Sequence, residues 1–433
     1  MSNDPIVKST GRAYQVRLLW REHPPAGRYY PNDLRRKKAQ VLELVGQWDD
    51  EEAVLRENLQ CANELDDQIL IAKSEYDLGG VLYLKGANAQ ALTLYQHAYK
   101  IYSSRADTPG IGLVAGGMGC VYRELGDFAK AMECFQEQLR LARQEQDSNG
   151  MARSFGYLGI LHCLQAQFEE AMGYFQQRLE QVERLGDQEG IGATVGNMGN
   201  VYKRLGDDRK ALEYYDRQLE IARRLGDKRS IGVAVGNSGV IHNDQGNFHQ
   251  ARVCFTMFLE IAMTLGDKRG IGIAAANLGI VNKRTGDYAN SEKYYDLAIA
   301  TGRELNAKQY LCSYLSNKAD LCFMLRRMAE AETLVQEALV MAEEIGEQSD
   351  IFKCRILSAQ IGANRDKAAS IQMLEQLLQE SEEEWQEAEL HYELFKLTAG
   401  AVHRAEALRL YRALWESSPS AEYRKCISEL ETG

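Results

Sequence analysis

The chain has 433 residues, of which 45% are hydrophobic and 26% are charged, as is ordinary for a folded globular protein. Its formal net charge of −11 argues against nucleic-acid binding, because nonspecific contact with phosphates depends on a dense basic surface. No apolar run reaches the roughly 18 residues of a membrane span, and the amino terminus lacks the apolar segment of a secretory signal. The nine cysteines show no paired spacing, so we expect no disulfide framework and no zinc site, and a cytoplasmic location.

The segment 1–33 differs from the rest of the chain. It contains four of the six prolines, namely Pro5, Pro24, Pro25 and Pro31. Residues 12–22 have the pattern of a lone helix, which a proline-rich connection follows. We predict that residues 1–33 form a separate amino-terminal segment, and its helix resembles the second helix of a preceding repeat.

From position 34 onwards, a period of about 40 residues governs the chain, which is within the range of repeat architectures. Two glycine registers, offset by half a period, keep this spacing without insertion or deletion. The first register comprises Gly46, Gly86, Gly126, Gly206, Gly246 and Gly286, with Ala166 and Arg326 in place of glycine, and the second comprises Gly186, Gly226, Gly266 and Gly346. A strict period of this length predicts a stacked repeat array, here eight repeats over residues 34–347.

Each repeat has the pattern of two helices. In the clearest one, residues 191–205 form the first helix, and we expect Met198, Tyr202 and Leu205 on its buried face. Gly206 and Asp207 then make a turn and a cap, and residues 209–224 form the second helix. Its apolar face is expected to carry Ala211, Leu212, Tyr215, Leu219 and Ala222.

Residues 348–433 keep helical patterns but lose the period. Four amphipathic stretches are visible, at 352–362, 368–378, 385–397 and 405–415. We predict that they are degenerate repeats and capping helices, because a repeat array must end in a polar outer face.

The helix pair resembles the tetratricopeptide repeat. Gly119, Gly159, Gly199, Gly239 and Gly279 match the small residue at which the two helices of that repeat approach closely, and Ala131, Ala171, Ala211, Ala251 and Ala331 match the small residue of its second helix. The length of each unit is similar to that of the repeats of kinesin light chains and of Pins-type spindle-orientation adaptors. The resemblance implies an all-α, right-handed superhelical solenoid of antiparallel helix pairs. It also implies a concave wall of first helices that holds an extended or helical segment of another protein.

The candidate partner-binding residues lie on these first helices. A ladder of asparagines recurs at successive repeats, and an amide suits pairing with a partner's backbone because it both donates and accepts. Basic residues on nearby turns favour an acidic segment or a free carboxylate. The full candidate set is Asn197, Asn237, Asn277, Asn317, Asn200, Lys203, Arg204, Lys283, Arg284, Arg123 and Tyr157.

Structural interpretations of the same residues stay open at this point. The asparagines could bond to the adjacent repeat, and the basic residues could form a solvated face paired with neighbouring carboxylates. The glycine-rich run at 190–199 superficially resembles a dinucleotide loop but has no strand before it.

No catalytic or metal-binding constellation is visible, so we predict a non-enzymatic adaptor without a cofactor. The alternative is a peptide- or partner-responsive sensor region, as in repeat-tailed signalling ATPases and cyclases. The oligomeric state is open.

Overall fold

The computed structural model describes residues 35–39, 48–305, 307–417 and 419–432. These residues form helices joined by short turns, and no strand occurs among them, which confirms the all-α prediction. The segment 1–33, with its predicted helix at 12–22, lies outside the described residues. Among the described helices, none combines the length and the apolar character that crossing a bilayer requires.

The chain divides into two compact parts, an amino-terminal part at 1–157 and a carboxy-terminal part at 158–433. Helices α1 to α5 belong to the first part: Trp48–Glu64, Gln68–Leu84, Asn88–Ser104, Thr108–Glu124 and Phe128–Gln144. Helix α6, Ser148–Leu164, runs through the boundary. Helices α7 to α20 follow: Phe168–Leu185, Gln188–Arg204, Asp208–Leu225, Lys228–Asp244, Phe248–Leu265, Lys268–Arg284, Tyr288–Glu304, Lys308–Met324, Met328–Ile345, Gln348–Gly362, Lys367–Glu380, Glu384–Thr398, Ala401–Ser417 and Ala421–Thr432.

The turns at the described glycines form as the glycine registers predict, and Gly46 lies outside the described residues. Gly206 has a φ of 76°, in the left-handed region, and the side chain of Asp207 then caps α9 by accepting from the amide of Lys210 at 3.0 Å. Ala166 and Arg326 keep the left-handed conformation at their registers, with φ of 58° and 63°. The backbone of the turn therefore repeats even where glycine is absent.

The two helices of each repeat are antiparallel and in close contact. A Cβ added at Gly199 would lie 2.7 Å from the ring of Tyr215, whereas one at Gly192 would lie 3.3 Å from Ile221 further along α9. The small residue predicted for the second helix is fully buried at Ala211. At Ser291, which departs from alanine, the hydroxyl is satisfied by donating to the Gly279 carbonyl at 2.8 Å. The close approach implied by the family resemblance is confirmed.

One buried-face assignment is wrong. Met198 is buried and Tyr202 is half-buried, but Leu205 is 52% exposed. The helix ends at Arg204, so Leu205 belongs to the turn, and the last buried contact of α8 is made by Val201. The helical spacing therefore holds only as far as Arg204.

The described residues after 347 continue as helices. Helix α16 still shares a core with α14 and α15 through Cys354, Leu357 and Ile361, and further cores follow it. Leu374, Leu390 and Leu394 are fully buried in one cluster, and Leu430 is fully buried in another with Cys426. The proposed division at 33/34 and 347/348 stays a prediction.

Candidate functional site

The first helices of the carboxy-terminal part expose one face along the array. On α8, Thr194, Val195 and Met198 are buried, whereas Asn197 is half-buried and Asn200 is exposed. The same spacing recurs on α10, α12 and α14. This is the arrangement expected from about 100° of rotation per residue, which places the candidate residues outside the buried stripe.

Four asparagines occupy equivalent positions on this face, and we call Asn197, Asn237, Asn277 and Asn317 the asparagine row. All four are half-buried. The Nδ2 of Asn277 donates to the Ile273 carbonyl of its own helix at 3.1 Å. Within the described residues, the side chains of Asn197 and Asn317 make no hydrogen bond, so these two amides have their full capacity for a partner.

Asn200 has an internal role. Its Oδ1 accepts from the hydroxyl of Tyr215 at 2.8 Å and from the Nδ2 of Asn237 at 3.3 Å. The residue therefore links the two helices of its repeat and the first helix of the next one. It lies on the exposed face, but its acceptor atom is already used, and its role in binding stays a prediction.

Aliphatic residues that are absent from the sequence-based candidate set flank the asparagine row. Val233 and Ile273 lie one helical turn before Asn237 and Asn277, and Val240 and Ile280 lie almost one turn after. Val233 is 42% exposed and the other three are partly exposed. Val233 and Ile273 are one repeat period apart, and so are Val240 and Ile280. This spacing is the sequence signal that identifies them.

We call Lys203, Arg204, Lys283 and Arg284 the basic wall. Carboxylates of neighbouring helices neutralise part of its charge. The Nζ of Lys203 lies 2.7 Å from Asp244 and 3.6 Å from Asp208. Burial alone lowers the pKa of an ammonium group, but the hydrogen bond and charge of Asp244 outweigh burial and hold the pKa of Lys203 above its usual value.

Lys283 and the two arginines complete the wall. Lys283 is paired with Asp320 of the following first helix. Arg204 has no ion-pair partner in the described part of the chain, and its side chain is exposed. Arg284 donates to the Asn243 carbonyl at 3.5 Å and to the carboxylate of Glu422 at 2.7 Å.

Two candidate residues belong to the amino-terminal part. The Nη2 of Arg123 lies 3.0 Å from the Tyr83 hydroxyl and 2.7 Å from the Glu124 carboxylate. Tyr157 stacks on Phe135, with ring centroids 4.9 Å apart. Both side chains therefore have structural partners, and their role in binding stays a prediction.

The exposed groups of this face are amide, aliphatic and guanidinium side chains. Among the described residues, no group of three or more histidine, cysteine, aspartate or glutamate side chains is placed to hold a metal ion. Burial and a hydrogen bond to Asp350 raise the pKa of the Cys312 thiol to about 12, so that this thiol stays protonated and is a poor nucleophile.

Comparisons with known proteins agree with this fold. A sequence profile described as tetratricopeptide repeat matches residues 111–184, 190–264 and 270–344, together more than half of the chain. No curated protein matches the sequence.

Several solved structures are similar to this chain at low sequence identity. A Rap protein complexed with Competence and Sporulation Factor has a TM-score of 0.56 at 17% identity, over 83% of this chain and 99% of its own. NprR, from B. thuringiensis, in complex with its cognate peptide NprX, has a TM-score of 0.51 at 17% identity, over 80% and 97%. A STAND protein with a tetratricopeptide repeat sensor, from Pyrococcus horikoshii, has a TM-score of 0.52 at 14% identity, over 83% and 52%.

Proposed function

Because this chain belongs to the tetratricopeptide repeat family, we propose that it is a non-enzymatic protein-interaction scaffold. Its partner is an extended segment of another protein, which lies along the asparagine row. The observation that carries the proposal is the row itself: four equivalent amides on one exposed face, at least two of which have no internal use. Repeated amides of this kind suit a peptide backbone, which offers a donor and an acceptor at every residue.

The spacing of the row fits an extended chain. Consecutive first helices are tied by side-chain contacts such as Lys203 to Asp244 and Asn237 to Asn200. Packed helices have axes about 8–10 Å apart, and an extended chain advances about 3.3 Å per residue. Neighbouring amides of the row would therefore meet the partner about once every three residues.

The surroundings of the row specify the partner's side chains. Val233, Val240, Ile273 and Ile280 offer aliphatic contact beside the amides. Arg204 and Arg284 add guanidinium groups at the ends of their helices, where a carboxylate of the partner would pair. We infer a segment with apolar side chains and a carboxylate at one end.

The structural neighbours are consistent with a peptide partner. NprR has been solved with its cognate peptide and the Rap protein with its factor, which are properties of those proteins. At 17% identity the likeness shows the fold alone, so the argument for this chain depends on its own amides and their exposure.

A second candidate function is a sensor region that changes conformation when a partner binds. The contact of Glu422 with Arg284 favours it, because a helix near the end of the chain touches the repeats 138 residues away in sequence. Binding at Arg284 would then be communicated to the carboxy-terminal helices. An unchanged small-angle scattering profile with and without the partner would count against this candidate.

The scaffold proposal is tested by affinity capture from a native lysate with the full chain, read by quantitative mass spectrometry. The test variant is Asn197→Ala, Asn277→Ala and Asn317→Ala together. Asn237 is left intact because it also bonds to Asn200. The matched control removes three exposed amides away from the first helices, by Gln176→Ala and Gln250→Ala on second helices and Gln372→Ala on α17.

We expect the wild type and the control to capture the same partner protein in equal amounts. The asparagine variant should no longer retain this partner. Three backbone hydrogen bonds of about 1 kcal/mol each correspond to a loss of roughly a hundredfold in affinity. Equal retention by all three forms would show that the row is structural.

A further inference from the structure

Residues 419–423, which lead into and begin α20, return to the repeats, and we call them the return segment. Pro419 lines a cleft of about 460 Å³ together with Leu205, Asp207 and Arg209 of the α8–α9 turn. The Cβ of Ala421 lies 3.3 Å from the position that a Cβ at Gly246 would take. The return segment therefore lies against the turns of two successive repeats.

Glu422 extends this contact to a third repeat. Its carboxylate lies 2.7 Å from the guanidinium of Arg284, which the Asn243 carbonyl also holds at 3.5 Å. The carboxylate side chain is mostly exposed, so the ion pair is accessible to competing ions. A carboxylate from the chain itself thus occupies the place at which the sequence predicts a carboxylate of the partner.

The helix behind the return segment is firmly held. Leu430 of α20 is fully buried in the core between α19 and α20, and the Leu430 carbonyl accepts from Arg404 Nε at 2.7 Å. Glu422 stands in the first turn of this helix, outside that core. Leu430 can stay packed on α19 while the first turn of α20, with Ala421 and Glu422, moves away from Gly246 and Arg284.

We infer that Arg284 and the end of α12 form a carboxylate site whose resident occupant is Glu422. An acidic segment of a partner protein has to displace the return segment in order to bind there. This inference rests on the proposed function and adds a form of autoinhibition to it. Glu422 competes with a carboxylate of the partner for Arg284, at one end of the asparagine row.

The contact can be tested by disulfide trapping in the full chain with Gly246→Cys and Ala421→Cys. The expected Cβ separation is close to that of a disulfide. Position 246 tolerates a side chain, because Ala166 and Arg326 adopt the same left-handed conformation at equivalent positions. The matched control is Gly286→Cys with Ala421→Cys, since a Cβ at Gly286 has nothing within 4 Å.

We expect the test pair to cross-link within one chain at least tenfold faster than the control pair under mild oxidation. Glu422→Gln or Arg284→Gln should slow the reaction at least threefold, and combining them should add little. Synthetic hexaglutamate should slow the test pair through Arg284, whereas hexaglutamine should not.

Cross-linking no faster than the control, cross-linking mainly between two copies, or indifference to Glu422 and Arg284 would overturn the contact. Slowing by the substitutions but not by hexaglutamate would overturn the displacement. The asparagine-row triple variant should leave the cross-linking rate unchanged, so a failure of this inference is distinguishable from a failure of the proposed function.

Discussion

The contact between a glycine and an aromatic ring inside each repeat yields the sharpest stability prediction. At Gly279, an added Cβ would lie 2.5 Å from Cε1 of Tyr295, a ring with no exposed surface. The next repeat contains the opposite combination, a larger residue in place of the glycine and a smaller one in place of the ring. The equivalent residues there are Ala319 and Val335, and both are buried. Glycine and ring are therefore expected to be energetically coupled.

The magnitudes follow from the burial of both partners. Gly279→Ala gains about 1 kcal/mol of helix propensity, but overpacking costs about 1–3 kcal/mol, and a fully buried ring has no room to withdraw. The two terms leave a net loss of up to about 2 kcal/mol. Tyr295→Val alone should cost about 3 kcal/mol by leaving a cavity. In the double variant the new methyl group is accommodated, so a favourable coupling of about 1–2 kcal/mol is expected.

The assay is urea unfolding by circular dichroism, with hydrogen exchange over residues 279–299 as a local measure, because repeat arrays need not unfold in two states. The control is Gly173→Ala, where a Cβ meets nothing within 4 Å and the change should stabilise by about 0.5–1 kcal/mol. If Gly279→Ala stabilised the protein as much as Gly173→Ala does, the steric argument would be refuted.

Two further predictions concern single residues. Burial, Glu422 and Glu393 raise the pKa of Glu389 from 4.5 to about 7. The stability from this group is therefore complete below pH 4.5 and is lost as the pH rises through about 7. Thermal unfolding should give Glu389→Gln the same free energy of unfolding as the wild type at about pH 5. At about pH 8 the variant should be more stable by about 2–3 kcal/mol. A constant difference across this pH range would contradict the assignment. Arg326→Gly should stabilise the protein by about 0.5–1 kcal/mol, because glycine adopts a φ of 63° without strain. Gly346→Ala should destabilise it by a similar amount, because a Cβ there has open space but the φ is 72°. A stabilising Gly346→Ala would show that backbone conformation does not govern these turns.

Periodicity predicts most of the fold because each repeat meets the same physical requirements. The left-handed turn at Gly206, the cap at Asp207 and the close approach at Gly199 are each set by residues within one repeat. The exposed face of α8, with Asn197 outside the buried stripe, follows from helical rotation alone. The error at Leu205 arose because the exact end of a helix depends on the turn that follows it.

The candidate site was less predictable because its contacts cross between repeats. Asp244 and Asp320 neutralise Lys203 and Lys283 from positions 41 and 37 residues away, so a basic pair in sequence is partly paired in space. These separations are close to the period of about 40 residues, one slightly longer and one slightly shorter. They indicate ion pairs only when it is known that the first helices of neighbouring repeats pack together. The contact of Glu422 with Arg284 follows no period, because α20 lies beyond the regular repeats.

The most direct test of the account is hydrogen exchange of the full chain with and without the protein captured by the wild type. Protection on binding should appear in the exposed first-helix windows at 193–204, 233–244, 273–284 and 313–324, with little change in the second helices between them. The asparagine-row triple variant should lose this protection at the same partner concentration. Protection confined to the second helices, or unchanged by the triple variant, would contradict a partner bound along the asparagine row.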